Sequence, residues 1–142
     1  MVTPINFLFS SFILFNSESY ILMPPKLSLF IKTLGASHVA YSSNDEIRAN
    51  ADYIQGFSGD VTRILYHEVV HSWQWIGNGQ APLGLIEGIA DFVRMKLGNK
   101  WDDSYYITAW FLDYYNGLRN GFVAKLTKKM GTEYSDDFFD QL

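Results

Sequence analysis

His67-Glu68-Val69-Val70-His71, followed by Glu87 and Asp91 in a second apolar segment, is the stretch around which the chain is organised. The chain has three histidines, and two of them stand four apart around a glutamate inside a run of Ile, Leu, Tyr and Val. On a helix, residues i and i+4 share a face, so both imidazoles can reach one ion. Glu68 is turned by about 100° from His67 and sits at the rim of that face, within reach of a water held by the ion. Ordinary packing explains the pattern poorly, because each buried polar group without a partner costs roughly 1–3 kcal/mol. A shared zinc ion removes that cost.

The helix bearing this motif is expected to run from an N-cap at Asp60 to Ile76, with Gly77 ending it. Val61, Ile64, Leu65, Val69, Val70, Trp73 and Trp75 surround much of its circumference, which makes it central and buried. After the connection Gly77–Pro82, a second helix is expected from Pro82 or Leu83 to Leu97. Between Leu83 and Val93 its only charged residues are Glu87 and Asp91, again four apart, with no base among them. Something positive should face them. Zinc on His67 and His71 would do so, with Glu87 as the third protein ligand and Asp91 holding the outward nitrogen of a ligand histidine.

Upstream, Leu27–Thr33 and His38–Ser42 read as strands, Ser43-Asn44-Asp45 as a turn, and Glu46–Ile54 as a returning strand. Glu46 to Tyr53 is the expected exposed edge on which a substrate backbone pairs. His38 is read as a strand residue, not a ligand. Downstream, Ser104 is expected to cap a helix from Tyr105 to Tyr115, stopped at Asn116-Gly117. Asn120 is expected to cap another from Gly121 to Met130, and Ser135 to open a last turn.

The 142 residues fit one domain with a real core. With 48% hydrophobic and 17% aromatic residues, the composition is that of a packed globular chain. A formal charge of -4 and a pI near 5.2 give no reason to expect nucleic acid as a partner. Without cysteine, a disulfide framework, a thiolate zinc site and a cysteine nucleophile are all excluded. Residues 1–26 form an atypical N-terminal segment. Its apolar run Ile5–Phe15 has the length of a signal core but lacks the basic start and the cleavage pattern, so it reads as a degenerate signal or an irregular start. It is too short to span a bilayer, and no stable membrane insertion is expected.

Tyr53-Ile54-Gln55-Gly56-Phe57-Ser58-Gly59-Asp60, the run from His67 to Trp75, Gly77–Pro82 and Gly84–Asp91 together resemble the plant basic secretory proteins. The likeness resumes from Trp101 to Asp137, including Phe111-Leu112-Asp113-Tyr114 and Leu118–Ala124. The resemblance implies a secreted, gluzincin-type zinc peptidase of plant defence, acting on proteins or peptides. It implies an α+β fold: a single zincin-like domain over 27–142, with a small antiparallel or mixed sheet packed on a central zinc-binding helix and a helical C-terminal half. Position by position it implies His67, His71 and Glu87 as ligands, Glu68 as general base and Asp91 behind the ligands. Tyr105 is implied as an oxyanion donor, with packing of a helix-start aromatic as the equal alternative. A metzincin pattern fails, because its third histidine would fall on Gly77. The chain reads as a shortened version of the pattern, and the rival reading is a zinc-binding defence protein without turnover.

Overall fold

The hairpin Ala40–Ser43 to Glu46–Asn50 (β2 and β3) turns on Asn44 and Asp45, whose φ angles of 50° and 59° are both positive. Two left-handed residues make the tight connection whose twist matches that of the flanking strands, and Asn and Asp tolerate it. In this computed structural model, which describes residues 27–35, 38–56, 61–96 and 105–142, β1 (Ser28–Lys32) completes a three-stranded mixed sheet. Its order is β1-β3-β2, with β1 parallel and β2 antiparallel to β3.

That order corrects one expectation. The stretch from Glu46 lies in the centre of the sheet, paired on both sides, and cannot be a docking edge; β2 is the edge strand on that side. The strand also ends earlier than Ile54. At Asn50 the chain turns into a short helix α1 (Ala51–Gly56) because the buried Asn50 side chain serves both elements. Its Oδ1 accepts the N–H of Asp52 at 3.2 Å, while its Nδ2 donates to the carbonyls of Leu34 and His38. An asparagine that satisfies a nascent helix start competes with further ladder bonding.

The motif helix α2 spans Val61–His71 and lies between two hydrophobic layers. Leu65, Val69 and Trp73, at helical spacing, pack with Ile47 of the sheet. Val70, on another face, belongs to the larger core built from Leu85, Ile89, Leu112, Phe122, Leu126 and Met130. Asp60, the expected cap, is outside the described residues. The helix stops before Ile76. Ser72 Oγ back-bonds to the Glu68 carbonyl at 3.3 Å, and Trp73 N–H reaches Val70, tightening the last turn.

Gly77, Asn78 and Gly79 all have positive φ, and the Gly77 N–H donates to the Met130 carbonyl at 3.0 Å. A Cβ on Gly77 would come within 2.6 Å of the Tyr134 Cβ, so space as well as backbone conformation demands glycine. The chain then enters α3 (Leu83–Lys96), which packs closely on α4 (Tyr106–Leu118). Gly88 makes that approach possible: an added Cβ would meet Thr108 Cγ2 at 2.3 Å.

Helix α4 continues past Asn116-Gly117 to Leu118. Asn116 does cap, but the next helix: its Oδ1 accepts the Val123 N–H of α5 (Phe122–Lys129) at 3.3 Å. The N-cap position of α5 is Gly121, with φ 79°, and not Asn120. Helix α6 (Phe138–Gln141) follows the expected turn at Ser135, whose hydroxyl accepts the Asp137 N–H. The chain is thus α+β, a small mixed sheet followed by helices. The expected cap at Ser104 and the connection after Gly98 lie outside the described residues.

Candidate metal centre

Helices α2 and α3 place the motif side chains against one another. His67 and His71, one turn apart, bring their Nε2 atoms to 2.9 Å. From α3, Glu87 sets Oε2 3.1 Å from His67 Nε2 and 3.4 Å from His71 Nε2. Three donors from two helices therefore face a common point, and this trio is a group able to hold a metal ion. Donor atoms bonded to zinc at about 2.0–2.2 Å in a tetrahedral arrangement stand roughly 3.3–3.5 Å apart, close to the spacings found here.

The atoms behind the donors orient them. Asp91 Oδ1 accepts the Nδ1–H of His67 at 2.8 Å, so that once the ring has given up its other proton the Nε2 lone pair faces the common point. Asp91 is buried, and Arg94 Nη2 lies 2.8 Å from the same oxygen. Arg94 is a cation that the sequence reading left out, since it follows Val93 by one residue. It offsets part of the acidic pair's charge, but it faces Asp91 and not the three converging donors. Asp91 Oδ2 is buried without a hydrogen bond among the described residues.

Gln74 is a second unforeseen partner. Its Nε2 lies 2.8 Å from His71 Nδ1 and 3.2 Å from the Ile86 carbonyl, while its Oε1 is buried with no partner among the described residues. A metal on His71 Nε2 requires a proton on Nδ1 and an acceptor facing it. The orphaned Oε1 is that acceptor after a half-turn of the amide, at the expense of the bond to Ile86. The residues present therefore fit a divalent cation.

Glu68 is buried, and Ser42 of β2 holds it: the hydroxyl lies 2.6 Å from Oε2 and 2.7 Å from the main-chain oxygen of the same residue. Nothing in the sequence pointed to Ser42, because the pairing of β2 with α2 is a long-range contact. Tyr105 stands half-buried immediately before α4, and its hydroxyl is not among the hydrogen-bonded groups of the site. His38 packs edge-on against Tyr41, away from the cluster.

Charge reflects this geometry. Burial pushes the His67 imidazolium toward neutrality, but hydrogen bonds to Asp91 and Glu87 outweigh it and raise the pKa to about 9. Glu87 moves well below the ordinary carboxylate range, chiefly through its hydrogen bonds with His67 and His71, with burial opposing.

A helix pair presenting two histidines and one carboxylate around one point, with a second carboxylate behind them, defines the chain as an α+β protein with a candidate metal centre. Its sequence matches the profile of the family described as peptidases of plants and bacteria over residues 24–142, and it belongs to that family. It is also similar to a basic secretory protease of Boswellia serrata, 57% identical over 30 residues. That stretch covers 21% of this chain and 47% of the relative, so the match spans about half of the relative's length. No solved structure matches.

Proposed function

We infer that the protein is a zinc-dependent peptidase, with residues 27–142 as its catalytic unit. Family membership supports a peptidase, and the convergence of His67 Nε2, His71 Nε2 and Glu87 Oε2 within 3.4 Å carries the metal assignment. Zinc held by these three residues would supply Lewis-acid activation of water and of the scissile carbonyl.

The protein's own groups do the rest. Asp91 and Gln74 fix the ring orientations of His67 and His71. Glu68, at the rim of the same helical face, takes a proton from the attacking water and delivers it to the departing amine. Tyr105 is an oxyanion donor by family resemblance alone. The substrate backbone pairs along β2, which is hydrogen-bonded on one side only among the described residues. In the register Tyr41↔Arg48, with the Asn50 N–H bonded to the Val39 carbonyl, the main-chain groups of Ala40 and Ser42 point away from β3. Backbone pairing of this kind takes proteins or peptides with little regard to side chains.

No described helix is long and apolar enough to cross a membrane, and the name of the Boswellia relative supports secretion. A role in plant defence is proposed on the resemblance to basic secretory proteins. The deciding experiment compares the wild type with Glu68→Gln on a denatured protein substrate, with and without a chelator and with zinc restored. Chelator-sensitive proteolysis that the substitution abolishes is the expected result. Proteolysis indifferent to both treatments would overturn the assignment.

A further inference from the structure

Ser42 occupies a position no other residue of the cluster has. Its side chain faces α2, on the side of the sheet where the neighbouring Ile47 packs against Leu65, Val69 and Trp73, and it reaches Glu68 Oε2 at 2.6 Å and the Glu68 main-chain oxygen at 2.7 Å. Its own main-chain N–H and C=O point the other way, to the unpaired edge of β2. A hydroxyl has one proton to donate, here shared between two acceptor oxygens that belong to the same residue. The serine therefore ties the Glu68 carboxylate to a fixed place relative to its own backbone. A glutamate has three side-chain torsions, so an untied carboxylate at a helix rim would sample several rotamers.

We propose that Ser42 is a positioning residue for the reaction: it locks the carboxylate of Glu68 and, through the same residue's backbone, aligns that carboxylate with a peptide laid along β2. This rests on the peptidase reading above. The expected consequence is a split in the kinetic constants. Loss of the hydroxyl leaves the backbone edge in place, so substrate binding persists while turnover falls. Purely structural packing of β2 on α2 would instead change stability and KM, and restoring the hydroxyl would not matter.

The test uses Ser42→Ala, Ser42→Thr and Glu68→Gln in the full chain. Ser42→Ala is expected to lower kcat by about tenfold or more, in the range seen for residues behind a metal site, with KM nearly unchanged. Ser42→Thr, which keeps a hydroxyl and suits a strand, restores turnover. Independently of activity and of metal, the carbon-13 signal of the Glu68 carboxyl, assigned by its absence in Glu68→Gln, shifts in Ser42→Ala and returns in Ser42→Thr. An unmoved signal, an unchanged kcat, a change confined to KM, or no rescue by threonine would each overturn the role of Ser42. If Glu68→Gln itself retains full turnover, the peptidase reading fails first, and the two failures are thereby distinguished.

Discussion

Asp91 Oδ1 lies 2.8 Å from His67 Nδ1 and 2.8 Å from Arg94 Nη2, so one carboxylate oxygen joins a candidate ligand to a buried guanidinium. Replacing it with asparagine keeps the shape but removes the charge that both neighbours use. Asp91→Asn is expected to weaken zinc binding by about 10–100-fold, the usual cost of losing a partner behind a metal ligand. Titration against a competing chelator measures this, and unchanged affinity would remove Asp91 from the centre.

Glu87→Gln tests the third donor. The amide keeps the volume but is a poor zinc ligand, and it also leaves His67 without one of the groups that raise its pKa. Zinc affinity should fall further than in Asp91→Asn, while far-ultraviolet circular dichroism stays close to the wild type. Zinc affinity equal to that of the wild type would show that Glu87 is not a ligand.

Proton and metal compete for His67. Its folded pKa of about 9 exceeds the ordinary 6.5, so in the zinc-free protein its contribution to stability is complete below about pH 6.5 and is lost as pH rises through 9. Glu87, displaced downward, contributes above the ordinary glutamate range and loses its effect as pH falls. Zinc binding has the opposite dependence to that of His67, since the ring must release its proton; affinity should rise by about tenfold per pH unit between pH 6 and 9. Melting curves with and without zinc at pH 6 and pH 9 check both signs. The zinc-free protein should melt higher at pH 6 than at pH 9, and the stabilisation added by zinc should be greater at pH 9.

Two glycines of α3 predict opposite outcomes. Gly88→Ala drives a Cβ to 2.3 Å from Thr108 Cγ2 and 2.6 Å from its Cβ, and overpacking of this kind costs roughly 1–3 kcal/mol. Gly84, with nothing within 4 Å, should gain roughly 0.5–1 kcal/mol from the same substitution, because alanine is the better helix former. Urea denaturation of both variants distinguishes packing from propensity.

The parts legible in the sequence were those written in local spacing. His67, Glu68 and His71 lie on one helix, and Glu87 and Asp91 on the next, so period alone puts them on their faces. Asn44 and Asp45 likewise announce their turn. Parts that depend on contacts distant in sequence were not legible. Whether β3 would be central or an edge depended on where β1 docked, and Ser42 meets Glu68 only after the sheet lies on α2. Asn50 read as part of a continuing strand and Asn116 as a helix stop, yet each bonds into a neighbouring element, a role fixed by tertiary placement. Gln74 falls inside the expected motif helix, but its pairing with His71 depends on how the last turn closes, and Arg94 stands one residue beyond the apolar run that isolates Glu87 and Asp91.

The turn through Gly77, Asn78 and Gly79 is pinned to Met130, and among the described residues the donor atoms of the candidate centre lie on either side of that turn, between His67 and Glu87, with Asp91 just beyond. The three candidate ligands are therefore carried by one contiguous hairpin of the chain, a cassette whose register is set at its bend. A single bend thus sets the spacing of His67 and His71 against Glu87, and a change of backbone at Gly77 or Gly79 would shift the two helices without touching any of the three.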